Sequence, residues 1–284
     1  MIRRRTITHA SLGIAGVALA AVLAPLASAT SAPHTSESRK PTVVLVHGAW
    51  ADSAGWSSVV KRLQSEGYPV AAPPTPLRSL SGDSRYLADY LKTIHGPVVL
   101  VGHSYGGAVI TNAATKSPNV RALVYIAAFA LDRGESTATV SAKFPGSHLS
   151  DDPDAPVPTS LNAVPFTQDD GATGTDLYIK PNKFSDVFLS DRLSSTDAAE
   201  LAATQRPITA EALGEPSGTP AWKTIPSWYL VAKEDHAIPP AAERFMASRA
   251  HAHTVEVDAP HAAQLTNPGA VTHLIEDAVR GTAR

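Results

Sequence analysis

The stretch Val98–Gly107 (VVLVGHSYGG) decides the fold class of this 284-residue chain. It begins as a short apolar run, passes through Gly-x-Ser-x-Gly, and continues into a helical pattern over Gly106–Ser117. In so tight a turn from strand to helix the serine backbone is strained, and glycines 102 and 106 remove side chains that would collide. The start of a helix also favours negative charge beside the hydroxyl. The pattern predicts that Ser104 is a nucleophile; the alternative is a tight turn that merely contains serine.

Strands and helices alternate on both sides of this turn. Short valine-rich runs indicate buried strands, and apolar residues three and four positions apart indicate helices. The predicted strands are Thr42–Val46, Pro69–Ala72, Val98–Val101, Val120–Ala127, Ser227–Ala232 and His253–Val257. The predicted helices are Ala54–Glu66, Leu80–Ile94, Gly106–Ser117, Ala241–Ala250 and Pro268–Arg280. This order predicts an α/β fold with a mostly parallel central sheet of about six strands, flanked by helices.

The alternation stops between residues 131 and 221, a segment rich in proline with aromatic residues interspersed. Helical patterns are confined there to Lys183–Leu189 and Ser195–Thr204. So long an interruption between two regular strands indicates an inserted cap subdomain. We therefore assign residues 41–130 and 222–284 to the core and residues 131–221 to the cap.

Residues 1–29 have the features of a bacterial export signal. Arginines 3 to 5 precede a small, apolar stretch over residues 10–26, and Ala27–Ala29 (Ala-Ser-Ala) is a cleavage signal. Residues 4–7 loosely resemble a twin-arginine signal, so export by the Sec or the Tat route is expected. The alternative is an uncleaved membrane anchor. Residues 30–40 are polar and are predicted to be a linker, and the mature protein is predicted to be secreted.

The composition limits the classes of partner. Removing residues 1–29 takes away three arginines and no acidic residue, so the net charge falls from −2 to −5. The sequence contains no basic stripe of the kind that would indicate a nucleic-acid partner. The chain has no cysteine, which excludes disulfides and a thiol nucleophile. No other stretch approaches the ~20 apolar residues of a membrane span. We expect a monomer or small homo-oligomer.

Two motifs, followed by a late acid and a final histidine, resemble the α/β-hydrolase superfamily. They are VLVHGAW at residues 44–50 and VGHSYGG at residues 101–107. The likeness covers roughly residues 41–130 and 222–284. It is strongest to the small esterase branch that holds plant methyl-ester esterases, hydroxynitrile lyases and their bacterial relatives. The resemblance implies one α/β-hydrolase core with its cap inserted in the middle of the chain.

The resemblance also implies a triad in the chain order Ser, Asp, His. Asp235 follows a strand and precedes a proline, which selects it as the acid, with Glu234 as the nearest competitor and Asp132 as a second alternative. His261 follows the last strand and is selected as the general base. In this arrangement the histidine takes the proton of Ser104, and the acid orients the histidine.

Two backbone N–H groups are expected to stabilise the oxyanion. One belongs to Tyr105, directly after the nucleophile, and the other to Ala49, in the loop after the first strand. Trp50 in the same loop is a candidate substrate-binding residue. His47 has two interpretations, as a structural histidine bonded to loop carbonyls or as a catalytic base.

These residues predict hydrolysis of a small-molecule carboxylic ester through an acyl-enzyme, with no cofactor and no metal. Thioesterase, lactonase and perhydrolase activities remain open because the same triad serves them. A hydroxynitrile lyase is disfavoured, since the lysine that follows the catalytic histidine in those relatives is Ala262 here. The alternative from another class is a non-catalytic ligand-binding protein on a hydrolase fold.

Overall fold

The computed structural model describes residues 40–152 and 154–282. Its strands are β1 (Thr42–Val46), β2 (Val70–Ala71), β3 (Val98–Ser104), β4 (Val120–Ala128), β5 (Leu161–Thr167), β6 (Thr173–Ile179), β7 (Ile208–Thr209), β8 (Ser227–Ala232) and β9 (His253–Val257). Its helices are α1 (Ser57–Ser65), α2 (Leu80–Leu91), α3 (Tyr105–Ala113), α4 (Thr137–Ser141), α5 (Pro181–Leu189), α6 (Ser195–Thr204), α7 (Ala210–Gly214), α8 (Pro240–Arg249), α9 (Ala263–Thr266) and α10 (Pro268–Thr282). Short 3₁₀ turns cover Ser53–Trp56, Ala114–Lys116 and Ala221–Lys223.

The six predicted core strands pair into one sheet in the order β2-β1-β3-β4-β8-β9. Every pairing in this sheet is parallel. Parallel neighbours need a crossover between them, and α1, α2, α3 and α8 supply crossovers that place helices on the faces of the sheet. The prediction of a central parallel sheet of about six strands flanked by helices is confirmed.

Helices cover both faces of the sheet at its centre, which is why β1, β3 and β8 are apolar runs without polar alternation, whereas the edge strand β9 is largely exposed. Val43 and Leu45 of β1 point to one face, where α1 and α10 supply the apolar partners. Val44 and Val46 point to the other face, where α2, α3 and α8 pack. Each fully buried side chain of this size contributes about 1.5–3 kcal/mol of transfer free energy.

The central strand β3 is longer than its apolar run predicts. It continues through Gly102 and His103 to Ser104, three residues past the predicted end at Val101. The reason lies in its neighbours: Gly102 pairs with Val46 of β1, and Ser104 pairs with Ala128 of β4. Hydrogen bonding from both sides therefore carries the strand into the Gly-x-Ser-x-Gly motif, and helix α3 begins at the next residue.

The segment between β4 and β8 contains three strands that the sequence patterns did not predict. Strands β5, β6 and β7 form a separate antiparallel sheet in that order. Pro165 lies within β5, and a proline argues against a strand unless the strand is at an edge, where a missing N–H costs little. Strand β5 is such an edge. The helices predicted in this segment are present as α5 and α6.

The predicted export signal, and the predicted linker up to residue 39, lie outside the described residues. From Lys40 onward the described residues belong to one compact unit, so the division into core and cap at residues 130 and 222 stays a prediction. Within the described part of the chain, no helix combines the length and the apolar character that a membrane crossing requires.

We expect Gly106→Ala to lower the free energy of unfolding by about 1–3 kcal/mol, the usual range for overpacking. A Cβ at Gly106 would lie 2.5 Å from the carbonyl oxygen of Val46 and 2.9 Å from that of His47. Both are backbone atoms, so β1 would have to move. Urea denaturation followed by circular dichroism measures the change.

Gly214→Ala is the matched control, because a Cβ there meets no atom within 4 Å. Equal stability of the two variants would contradict the view that the packing of β1 against α3 requires glycine at position 106.

Candidate active site

Ser104 lies in a strained turn between β3 and α3. Its backbone has φ 53° and ψ −127°, a combination rare for any residue with a side chain. Such a conformation costs about 1–3 kcal/mol and persists only where the surroundings impose it. Here Gly102 and Gly106 impose it by close packing, since a Cβ on Gly102 would lie 2.6 Å from the carbonyl oxygen of Gly106. The turn presents the serine hydroxyl to a cavity above the sheet.

The loop after β1 packs directly against this turn. A Cβ on Gly48 would lie 2.6 Å from the Cβ of Ser104 and 3.1 Å from the backbone nitrogen of Tyr105. Only glycine allows so close an approach. It brings Ala49 and Tyr105 to the wall of the same cavity as Ser104. Tyr105 is the first residue of α3, so its N–H has no acceptor within the helix.

His261 lines the same cavity as Ser104 and contacts the predicted acid behind it. Its Nδ1 lies 2.6 Å from Oδ2 of Asp235, and both side chains are fully buried. Its Nε2 is buried and has no hydrogen-bond partner among the described residues. The carboxylate accepts from Nδ1–H, which leaves the lone pair of Nε2 for a proton from another group.

The Asp235 carboxylate is held from its other side by the backbone. Its Oδ1 accepts hydrogen bonds from the N–H groups of Ala237 and Ile238, each at 2.7 Å. The loop that carries it is fastened to the histidine loop, because the N–H of Glu234 donates to the carbonyl oxygen of Ala259 at 3.1 Å. These bonds compensate the burial of a charged group and aim its second oxygen at His261.

The two alternative acids have other partners. Glu234 forms a bidentate ion pair with Arg192 at the surface. Asp132 accepts from the ammonium group of Lys223 at 2.7 Å. Of the three acids that the sequence offered for this role, the structure brings Asp235 against His261.

His47 has the environment of a structural histidine. Its Nε2 accepts from the N–H of Thr75 at 2.9 Å, so its Nδ1 carries the proton and donates to the carbonyl oxygen of Gly48 at 2.9 Å. Burial lowers the pKa of His47 from 6.5 to about 4. Both ring nitrogens are therefore occupied, and the neutral ring holds the loop that carries Gly48 and Ala49.

His103 contributes to the site in a way that the sequence patterns missed. Its ring is fully buried, and Nε2 donates to the backbone carbonyl oxygen of His261 at 2.9 Å. Burial lowers its pKa well below the ordinary value, so the ring is neutral. The residue inside Gly-x-Ser-x-Gly thus anchors the backbone of the distant histidine. Its place in the motif gave no signal of this, because His103 and His261 are 158 positions apart.

Trp50 and Tyr105 use their polar atoms to hold the walls of the cavity. The indole N–H of Trp50 donates to the carbonyl oxygen of Leu177 in β6 at 2.9 Å, and its ring lines the cavity. The phenol of Tyr105 donates to Oδ2 of Asp83 in α2 at 2.8 Å. Trp50 therefore joins the loop after β1 to β6 and leaves only its apolar surface for a ligand.

The cavity that contains Ser104 and His261 has a volume of about 550 Å³. Helix α4 and the loop after it supply one wall, and its apolar lining includes Phe129, Ala138, Ala142, Phe144, Leu149, Leu161, Leu213 and Ile238. Serine hydroxyls and the carboxylate of Asp152 are interspersed, and no lysine or arginine of the described residues lines it. A largely apolar cavity of this size accommodates an uncharged small molecule.

A cluster of two histidines and a carboxylate lies beside the acid loop. The Nδ1 atoms of His148 and His236 each lie 2.9 Å from Oδ1 of Asp186 in α5. Among the described residues this group offers three potential metal ligands. The two rings stack 4.0 Å apart at 27°, however, whereas a metal ion must lie in the plane of each ring that binds it. The arrangement is a hydrogen-bonded connection between α5 and the loop after β8.

Comparison with known proteins gives the family. A family model described as the alpha/beta hydrolase family matches residues 43–274. A pyrethroid hydrolase from Sphingobium wenxiniae is 27% identical over 256 residues, which cover 83% of this chain and 86% of that protein. Methylesterase 1 from Arabidopsis thaliana is 28% identical over 232 residues, which cover 75% of this chain and 85% of that protein.

The fold also matches solved structures. The crystal structure of polyneuridine aldehyde esterase superimposes with a TM-score of 0.69 at 20% sequence identity, over 84% of this chain and 98% of that one. At this level of identity the match concerns the fold. Together with the methylesterase match, it confirms the resemblance to the small esterase branch.

We expect the burial of His47 to make stability fall as the pH is lowered from 6.5 to 4. In this range the unfolded chain binds a proton at His47 and the folded chain does not, so lowering the pH favours unfolding. The difference amounts to about 3 kcal/mol for this group. His47→Gln keeps an acceptor and a donor of similar reach, and its stability should fall less over the same range. Urea denaturation at pH 7 and pH 4 measures both proteins.

The exposed His95 provides the control, because His95→Gln should follow the wild-type curve. Parallel pH dependences for His47→Gln and wild type would show that residue 47 does not titrate with unfolding.

Proposed function

The chain belongs to the alpha/beta hydrolase family, and on this premise we propose that it hydrolyses uncharged carboxylic esters through an acyl-enzyme formed on Ser104. Its relatives are named as hydrolases and esterases, and the enzyme is accordingly a hydrolase of the carboxylesterase type. One observation carries the proposed mechanism. His261 lines the same cavity as Ser104, and its buried Nε2 has no hydrogen-bond partner among the described residues, while its Nδ1 is bound to Asp235.

In the first step, the hydroxyl oxygen of Ser104 attacks the ester carbonyl carbon while Nε2 of His261 takes the hydroxyl proton. The Asp235 carboxylate stabilises the imidazolium that forms and keeps its other proton on Nδ1. The imidazolium then protonates the departing alkoxide, and an alcohol leaves. In the second step water attacks the carbonyl carbon of the acyl-enzyme while His261 takes a proton from the water. The carboxylic acid product is then released and Ser104 is restored.

The tetrahedral intermediate carries a negative charge on the former carbonyl oxygen. The N–H groups of Ala49 and Tyr105 are the proposed donors to this oxygen, since both residues line the cavity next to Ser104. The positive end of α3, which starts at Tyr105, adds to the stabilisation. Gly48 makes the arrangement sterically feasible, because it lets the loop lie against the turn.

The proposed substrate class follows from the cavity lining. Its walls are mostly apolar, and no lysine or arginine of the described residues lines them, so the lining favours an uncharged substrate over an anionic one. The names of a pyrethroid hydrolase and a methylesterase among the relatives support an ester with a bulky or apolar portion. The residue that follows the general base His261 is Ala262, which is fully buried and uncharged. It therefore places no charge next to His261.

Ser104→Ala should lower kcat/KM for p-nitrophenyl esters by at least about 10³-fold, because the nucleophile is lost. A panel from acetate to decanoate tests this with the mature protein. A fluorophosphonate should also add once to the wild type, through attack on phosphorus with loss of fluoride, and intact mass reports the adduct. The variant should remain unlabelled.

Ser65→Ala is the control, since Ser65 is an exposed serine of α1. It should keep both the hydrolysis rate and the labelling. Turnover or labelling of Ser104→Ala at the wild-type level would refute the assignment. Labelling of the wild type without turnover of any ester would instead favour a narrower specificity.

We expect Ala142→Phe to shorten the range of acyl groups accepted. Ala142 lines the wall beside α4, and a phenyl group there would occupy part of the 550 Å³ cavity. The ratio of kcat/KM for decanoate to that for acetate should fall by about 10-fold or more, which is within the range of lost apolar contacts. Ala142→Ser matches the original size and should leave the ratio close to that of wild type. An unchanged ratio in Ala142→Phe would place the acyl group elsewhere.

A further inference from the structure

A second carboxyl group is buried behind the catalytic acid. Glu243 lies in the first turn of α8, and it is fully inaccessible to solvent. Its Oε2 accepts from the N–H of Ala232, the last residue of β8, at 3.0 Å. Its Oε1 is buried and has no hydrogen-bond partner among the described residues. Asp235 is tied to the same residue, since its N–H donates to the carbonyl oxygen of Ala232 at 3.2 Å, and its side chain is the charged group that acts most strongly on Glu243.

Two ionised carboxylates next to each other in the low dielectric of a buried site repel each other strongly, so one of the pair holds a proton. Asp235 receives hydrogen bonds from Ala237, Ile238 and the Nδ1–H of His261, which stabilise its charge. Glu243 receives one from a backbone N–H. The proton therefore resides on Glu243.

The other titratable groups near Glu243 do not offset this. The hydroxyl of Tyr229 in β8 donates to the backbone carbonyl oxygen of Ala128. The guanidinium of Arg244 forms a bidentate pair with Glu256 at the surface, at 2.8 and 2.7 Å. Burial, followed by the neighbouring Asp235, raises the pKa of Glu243 well above its ordinary value.

We propose that Glu243 is a positioning residue of the active site, whose neutral carboxyl group donates a hydrogen bond from Oε1 to the Asp235 carboxylate. The bond holds the Asp235 carboxylate in position and withdraws part of its negative charge. His261 is then held in place by an acid that attracts its proton less strongly. Glu243 keeps its proton throughout the reaction. The proposal rests on the triad proposed above.

The chain offers a close set of variants for the test. Glu243→Gln replaces O–H by N–H and keeps an oxygen to accept from Ala232. Glu243→Met has similar size but neither donor nor acceptor. Glu256→Gln is the matched control, because it removes a surface carboxylate instead of a buried one. Glu256 lies in β9 and pairs with Arg244, the residue that follows Glu243 in α8.

The readout is the titration of the His261 imidazole, followed by NMR with ¹⁵N-labelled histidine and assigned with His261→Gln. The pH profile of kcat/KM on a p-nitrophenyl ester is measured in parallel. We expect Glu243→Gln and Glu256→Gln to match the wild type in both. Glu243→Met should raise the pKa of His261 by roughly 0.5–1 unit, because the full charge of Asp235 then acts on it. Its kcat should fall by about 10-fold, equivalent to one charge-assisted hydrogen bond, with little change in KM.

Two results would overturn the proposal. A lower pKa of His261 in Glu243→Gln would mean that the wild-type glutamate is ionised. An unchanged titration of His261 and an unchanged kcat in Glu243→Met would mean that Glu243 only occupies space in the core. If Glu243→Met does not fold, Glu243→Gln decides alone: an unchanged titration supports a neutral donor, and a lowered one overturns it. A wild type that neither hydrolyses any ester nor is labelled by the fluorophosphonate would refute the proposed function, whereas the titration would still report on Glu243.

Discussion

The strained turn at Ser104 is the constraint on which the rest of the site depends. A backbone with positive φ at a residue with a side chain survives only because three neighbouring segments have no side chains in the way. Gly102 and Gly106 close the turn, and Gly48 lets the preceding loop lie against it. The parallel sheet supplies the rigidity, since β3 pairs with β1 as far as Gly102 and with β4 as far as Ser104. The cost of the strained conformation is thus offset by packing throughout the core.

Three buried histidines lie in or next to this turn, and they have different roles because they form different hydrogen bonds. His47 and His103 each donate to a backbone carbonyl oxygen, and burial keeps both neutral. His261 differs because its Nδ1 lies against a carboxylate, its Nε2 has no partner among the described residues, and the residue lines the cavity. The same side chain therefore serves as a fixed hydrogen-bond donor at two positions and as the proposed base at the third. This difference in role arises from the loop that carries Asp235. Two backbone N–H groups of that loop hold the Asp235 carboxylate in place against His261.

The region between β4 and β8 supplies much of the cavity lining, while the turn and loops at the ends of the parallel strands carry the proposed reacting groups. Trp50 crosses between them, with its ring in the cavity and its N–H on the carbonyl oxygen of Leu177. The connection formed by His148, Asp186 and His236 joins α5 to the loop of the proposed acid. Changes in this region can therefore alter which ester fits without disturbing the turn at Ser104, as expected where binding surfaces are carried on a rigid core.

The amino-acid sequence predicted the parallel sheet, its flanking helices, Ser104 as nucleophile and His261 as base, because local patterns and motif order carry that information. It could not decide between Asp235, Glu234 and Asp132 from the residues alone, nor reveal the edge strand that contains Pro165. Only the tertiary structure brought Asp235 against His261 and buried Glu243 behind it. Contacts between residues far apart in the chain, and the desolvation that sets their charge, exist only once the chain has folded.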